Sequence, residues 1–230
     1  GIDYLNYFKR ELAKPRAEYT PFATIIAPCK GLDDGLEENL AVLIEQNYPE
    51  FEVIFVVDDQ NDAALPIIKG LINRGEAETK RKENSASLRL GGENLKLVVA
   101  RKAIDSSQKV ENLREAVLHA SNRSRVFVFV DSDARPRKDW LRHLVEPHED
   151  IGVGASTGYR WFISDKPAFA SEMRSVWNAS IASALGANTK TNFCWGGSMA
   201  IRRETFERLG IREKWKGTLS DAFTVTRALN

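Results

Sequence analysis

The chain has 230 residues, with 33 basic and 32 acidic side chains and a formal charge of +1. That balance excludes a protein held mainly by nucleic-acid phosphates, although a local basic face remains compatible with it. A hydrophobic share of 43% with 28% charged residues excludes disorder, collagen and coiled coil.

The length suits a domain with a sizeable core. Two cysteines, Cys29 and Cys194, exclude a disulfide scaffold and favour a reduced compartment. Three scattered histidines (His119, His143, His148) offer no histidine-rich metal site. No run approaches the roughly 18 apolar residues of a membrane span. The start at Gly1 and the stop at Asn230, inside a helical stretch, read as a catalytic segment of a longer protein.

Tyr4, Leu5, Phe8 and Leu12 sit at helical spacing within residues 4–14, and Pro15 and Pro21 end the pattern. Residues 1–21 are read as a juxtamembrane or amphipathic lead-in and residues 22–230 as a single domain. The apolar run 22–27 predicts a strand closed by Pro28. Residues 34–46 predict a helix capped by Asp34, with Leu36, Leu40, Leu43 and Ile44 on one face. A second strand covers 52–58, and a helix 62–74 holds Pro66 in its first turn. Residues 75–93, charged and containing Gly91-Gly92, read as a mobile connection.

Strand 95–100, helix 109–120 and strand 125–131 follow. Apolar strands alternating with helices predict a mostly parallel sheet covered on both faces. Beyond residue 150, glycines and aromatics predict shorter, mixed strands, with helices at 167–186, 203–210 and 219–229. Residues 193–203 read as a strand or loop with a glycine corner.

Ligands of such sheets bind beyond the carboxyl ends of the strands. The first constellation there is VDSDARP, where a buried strand delivers Asp131, Ser132 and Asp133. Hard cations such as Mg2+ or Mn2+ take oxygen ligands and borrow more from a diphosphate. Asp and Ser also simply terminate strands. Asp58, Asp59 and Asp62 follow the second strand, where Asp62 has the alternative role of capping the next helix.

Lys109 stands at a helix start, suited to an anion or merely exposed. Residues 101–142 hold ten basic against six acidic side chains, which fits a phosphate-bearing ligand or a solvated face. Gly196-Gly197 permits close backbone approach beside Trp195, or forms a turn. Asp221 is a candidate general base or a helix cap. Dinucleotide-binding, P-loop and nucleophile-elbow motifs are absent. The two N-x-[ST] sequons, at Asn122 and Asn178, carry no reading in a cytosolic domain.

APCKG, VVDDQND, QKVENL, VDSDARP, CWGGSMAIRR and LSDAFTVTRAL occur in that order. As an ordered set, from about residue 22 to 229, they resemble family 2 glycosyltransferases of GT-A fold. Within these they are most similar to the ceramide glucosyltransferase-like family 21. The resemblance implies a Rossmann-like, mostly parallel sheet with helices on both faces and a mixed C-terminal part. Residues 22–133 would form the nucleotide half and 134–230 the acceptor and sugar half.

It also implies that Pro28 and Lys30 line the nucleotide pocket, Asp59 contacts base or ribose, and Lys109 lies near the diphosphate. Asp131 and Asp133 would hold the nucleotide sugar and a divalent cation, Mn2+ or Mg2+. Gly196, Gly197 and Ser198 would lie where donor and acceptor meet.

The implied activity is inverting transfer of a hexose, UDP-linked, to a lipid hydroxyl. The implied setting is a membrane-anchored protein with its catalytic domain on the cytosolic side. Two departures stand out. Alignment puts Ala222 at the family's base position, so either Asp221 serves or the alanine inactivates, and the chain stops before the Q/R-x-x-R-W motif. A non-catalytic nucleotide-sugar module and a phospho-receiver-like domain are the alternatives.

Overall fold

The computed structural model describes residues 2–13, 18–81, 94–159, 168–185 and 192–230. Within them, six strands form one sheet: β1 (Ala23–Pro28), β2 (Phe51–Val57), β3 (Leu95–Val99), β4 (Val126–Val130), β5 (Ala155–Thr157) and β6 (Ser198–Arg202). The order is β3-β2-β1-β4-β6-β5. The first four are mutually parallel, with Ile25 beside Val53 on one side and Val128 on the other. β6 runs antiparallel to both β4 and β5, so the later strands are short and mixed, as the glycines and aromatics beyond residue 150 predict.

Every residue of β2 and β4 is buried. Their runs, apolar except for Glu52, therefore need cover on both faces. Alternation along the strands sends Ile25, Val53, Phe55 and Val128 to one layer, and Ile26, Ile54, Phe127 and Phe129 to the other. The first layer is closed by α2 (Leu36–Ile44), α3 (Leu65–Arg81) and α5 (Trp140–Val145). The second is closed by α4 (Gln108–Ala116), α7 (Arg203–Arg208), α8 (Ile211–Lys214) and α9 (Asp221–Leu229). α1 (Ile2–Ala13) precedes the sheet, and α6 (Phe169–Leu185) lies between β5 and β6 in the chain.

Three local expectations are corrected. α2 starts at Leu36, not at a cap by Asp34, because Gly35 adopts a left-handed conformation (φ 69°) and carries no side-chain cap. A side chain at Gly35 would also strike Arg135, 2.6 Å from the position of its Cβ. α3 runs on to Arg81, since Glu76, Ala77, Glu78, Lys80 and Arg81 are sound helix formers. The rest of the expected connection, 82–93, lies outside the described residues. The helix expected to reach 120 ends at Ala116 and tightens into a 3-10 turn over Val117–His119. Pro66 does occupy the first turn of α3, where a missing N–H costs nothing.

Candidate active site

The chain passes from β1 outward through β2 to β3, then returns to place β4 on the other side of β1. Loops leaving β1 and β4 therefore diverge and leave a crevice between them. A cavity of about 310 Å3 opens there. It is lined by Pro28, Cys29, Lys30 and Asp33 after β1, by Asp131, Ser132 and Asp133 after β4, and by Gln108, Lys109 and Asn112 of α4.

α4 aims its first turn at this cavity. Ser107 caps it, its hydroxyl accepting from Val110 N–H at 3.3 Å. The helix is fixed behind by a reciprocal pair. Arg114 Nε donates to the Arg212 carbonyl at 3.1 Å, and Arg212 Nε to the Arg114 carbonyl at 3.0 Å. Glu111 is gripped by Arg101 at 2.6 Å and Arg114 at 2.9 Å.

Lys109 Nζ lies 2.7 Å from Asp131 Oδ1 and 3.4 Å from Asp221 Oδ1, and donates to the Gly196 carbonyl at 3.3 Å. Burial alone lowers the pKa of this ammonium. The charges of Asp221 and Asp131 outweigh that and hold it above the ordinary lysine value. Asp221 is buried, and burial raises its carboxyl above the usual aspartate range despite the opposing pull of Lys109. Its Oδ2 has no hydrogen-bond partner among the described residues. That oxygen lies 2.9 Å from where a Cβ on Gly196 would be, so only glycine leaves it room.

Asp221 opens α9, whose start is pinned from below. The indole of fully buried Trp215 donates to the Asp221 carbonyl at 3.1 Å. Trp215 in turn packs against Phe129 and Phe206, with ring centroids 5.4 and 5.3 Å away. Ser220 caps the helix by accepting from Phe223 N–H.

The other expected site residues are distributed as follows. Gly197 lends its carbonyl to Asp131 N–H at 3.4 Å. Ser198 is buried, its hydroxyl accepts from Trp140 Nε1 at 2.9 Å, and it is not among the residues lining the cavity. Asp59 does not line the cavity but joins its rim through lysines. Lys102 lies 3.3 Å from Asp59 and 3.1 Å from Asp58, and Lys30 lies 3.8 Å from Asp58. The Asn61 N–H, followed by Lys102, lowers the Asp59 pKa. Asp62 ties two loops together, accepting from Gly31 N–H at 2.9 Å and Ala64 N–H at 2.8 Å.

Cys29, Asp33, Gln108 and Asn112 were not singled out from sequence. For Gln108 and Asn112 a signal existed: with i,i+4 spacing they share a helix face, and Gln108 Nε2 donates to Asn112 Oδ1 at 2.9 Å. Burial, followed by Asp62 and Asp33, pushes the Cys29 thiol up to about 12, so it supplies no thiolate.

The donors facing the cavity are therefore hard carboxylate oxygens, which suit Mg2+ or Mn2+. No group of three or more His, Cys, Asp or Glu forms a complete metal cage among the described residues. Two carboxylates with further oxygens from a diphosphate fit that arrangement.

A sequence profile of Glycosyl transferase family 21 matches residues 3–81 and 85–230. Two curated relatives are ceramide glucosyltransferases. That of Komagataella phaffii is 29% identical over 73 residues, covering 32% of this chain and 14% of the relative. That of Candida albicans is 47% identical over 51 residues, covering 21% of this chain and 9% of the relative. Among solved structures, the mannosyltransferase PcManGT from Pyrobaculum calidifontis, in complex with GDP-Man and Mn2+, has a TM-score of 0.57 and 26% identity, over 90% of this chain and 54% of that one. S. aureus TarS 1-349 in complex with UDP has a TM-score of 0.54 and 16% identity, over 90% of this chain and 54% of that one.

The matches thus span a small part of the curated relatives and about half of the solved chains. The architecture is the GT-A fold. Antiparallel β6 and the family match set aside the phospho-receiver alternative.

Proposed function

The chain belongs to glycosyl transferase family 21, and from that premise we propose that it moves a hexose from a UDP-sugar to the hydroxyl of a membrane lipid, inverting the anomeric carbon. The observation that carries this reading is the convergence of Lys30, Lys109, Asp131 and Asp133 on one cavity at the switch point of the sheet. Support comes from a relative of 26% identity solved with GDP-Man and Mn2+, and from relatives named ceramide glucosyltransferases.

In this reading Asp131 and Asp133 hold the divalent cation. Bound there, such a cation neutralises charge on the departing diphosphate. Lys30 and Lys109 supply fixed positive charge on the same group. Pro28 and Asp59 border the nucleoside. Gly196 and Gly197 keep the backbone low where sugar and acceptor meet, and Ser198 braces that corner through Trp140. Asp221 takes the acceptor proton: its Oδ2 has no hydrogen-bond partner among the described residues, and its raised pKa makes it a better base than a solvated aspartate.

A lipid acceptor accords with α6. Its outward face carries Phe169, Met173, Val176 and Trp177, while Ser175 faces inward. In this reading the whole protein is membrane-associated, with the catalytic part on the cytosolic side. A second reading, a non-catalytic nucleotide-sugar module, has one observation in its favour: Ala222 cannot accept a proton.

Calorimetry with UDP-glucose, UDP-galactose, UDP-N-acetylglucosamine and GDP-mannose, with and without Mn2+, tests the proposal. A UDP-sugar is expected to bind only with Mn2+, and Asp133→Asn to weaken it by roughly tenfold or more. Absence of metal-dependent binding to all four donors removes the reading.

A further inference from the structure

An ammonium group has three N–H donors and no acceptor. Lys109 has three protein acceptors within reach: Asp131 Oδ1 at 2.7 Å, Asp221 Oδ1 at 3.4 Å and the Gly196 carbonyl at 3.3 Å. In this arrangement no donor is left over for a diphosphate. The charge also stands directly on Asp131, one of the two carboxylates read above as holding the cation. A second positive charge arriving at Asp131 must therefore repel the first or displace it. Repulsion at such range is strong in a partly desolvated site.

We propose that Lys109 is the resident counter-ion of the Asp131–Asp221 pair, and that it keeps the divalent cation off Asp131 until a diphosphate is present. The proposal rests on the reading of Asp131 and Asp133 as cation-holding carboxylates. A diphosphate in the cavity offers Lys109 new acceptors on the side it already lines. Lys109 then exchanges its bond to Asp131 for bonds to phosphate oxygens, and Asp131 Oδ1 becomes open to the cation. Nucleotide and metal thereby bind as one event, and the metal alone binds poorly. Lys109 acts on the metal through Asp131, so in this respect it is a positioning residue.

The test is Mn2+ binding to the whole chain without nucleotide, read by electron paramagnetic resonance of free Mn2+ and by calorimetry, then repeated with UDP. Lys109→Met removes the charge and keeps an unbranched side chain. It is expected to bind Mn2+ alone roughly tenfold tighter or more than the parent protein, and to lose most of the gain that UDP gives the parent. Lys109→Arg, which keeps the charge, is expected to stay near the parent. Lys109→Gln replaces the methionine variant should that one not fold. A purely structural role for Lys109 predicts equal or weaker Mn2+ binding in the neutral variants, and that result overturns the proposal. If the parent binds Mn2+ with UDP but the neutral variants show no gain in metal-only affinity, this inference alone fails. If the parent binds no Mn2+ even with UDP, the cation reading of Asp131 and Asp133 fails first.

Discussion

Either Asp221 supplies the carboxylate that the proposed reaction needs, or Ala222 stands where that carboxylate is missing. Asp221 is inside, held by Lys109 and by the Trp215 indole. Ala222 is half-buried, and its Cβ lies 3.3 Å from the position a Gly196 Cβ would take. Both therefore border the same glycine backbone, and their distances alone do not separate them. Chemistry does. A positioned base contributes about 10²–10⁴ in rate. If Asp221 is the base, Asp221→Asn lowers turnover by about that factor, and Ala222→Asp adds nothing. If the chain is disabled at Ala222, Ala222→Asp raises turnover from background by a similar factor. Single-turnover transfer to a short-chain lipid acceptor, with donor binding checked in parallel, distinguishes the two outcomes.

Pro28, Lys30, Lys109, Asp131 and Asp133 could be named from the sequence because each lies at an end of a patterned strand or helix, and all five line the one cavity. Their contacts could not. Lys109, Asp131 and Asp221 come from three separate segments, and only the crossover that places β4 beside β1 brings them within a few ångströms. The cap predicted at Asp34 failed for a local reason, the left-handed turn at Gly35.

Elements with regular patterns were readable, the six-residue α7 among them, but other short helices were not. β2 and β4 are fully buried, and their apolar runs announce it. α5 and α8 have six and four residues, too few for a helical period to emerge from the surrounding loops. α6 was expected as a helix rich in small residues. The structure adds that Ser175 is its only buried residue among the described side chains, while four large apolar ones are exposed. Ser175 is buried, and the Tyr159 hydroxyl donates to its carbonyl at 3.3 Å. Phe169, Met173, Val176 and Trp177 are 82%, 46%, 62% and 68% exposed.

Tyr159 also meets Trp195 edge-on at 6.0 Å, and Trp195 lies against Phe193, which stacks with exposed Phe223. An aromatic chain thus runs from α6 to the helix that carries Asp221. If the acceptor is a lipid, this face meets the bilayer. Trp177 fluorescence should then shift to the blue on adding neutral phospholipid vesicles. Trp177→Ser with Val176→Ser should weaken vesicle binding by roughly tenfold or more, given the apolar area removed from contact. Equal vesicle binding by both proteins would rule this face out.

At the scale of the molecule, the sheet has two ends, and both are charged. The opposite end holds a larger cavity, about 650 Å3, lined by Tyr19, Ser124, Arg125, Arg202, Arg203 and Arg208 among others. Size and arginine count would make it the better anion site, but the hydrogen bonds argue otherwise. Arg202 donates to the carbonyls of His148, Asp150, Ile151 and Val153. Arg203 is spent on Glu207 and the Ser121 carbonyl. Glu204 and Glu207 also line that cavity and oppose an anion. The Arg202 and Arg203 guanidinium groups thus close the lower edge of the sheet and are not held ready for a ligand. Beneath the sheet, the Thr24 hydroxyl, the Ser121 N–H and the Lys96 ammonium converge on buried Glu52, at 2.7, 2.6 and 2.7 Å.

The other end, by contrast, keeps Asp221 Oδ2 without a hydrogen-bond partner among the described residues, and a cavity whose cations face it from two elements. Hydrogen exchange measured with and without UDP and Mn2+ reads out which end is used. Protection is expected together in residues 28–33, 107–112 and 131–134, which are distant in sequence and adjacent only through the switch point. The segments 122–125 and 202–208 should exchange unchanged. Protection confined to those two segments would move the donor to the arginine-lined end and overturn the assignment of the site.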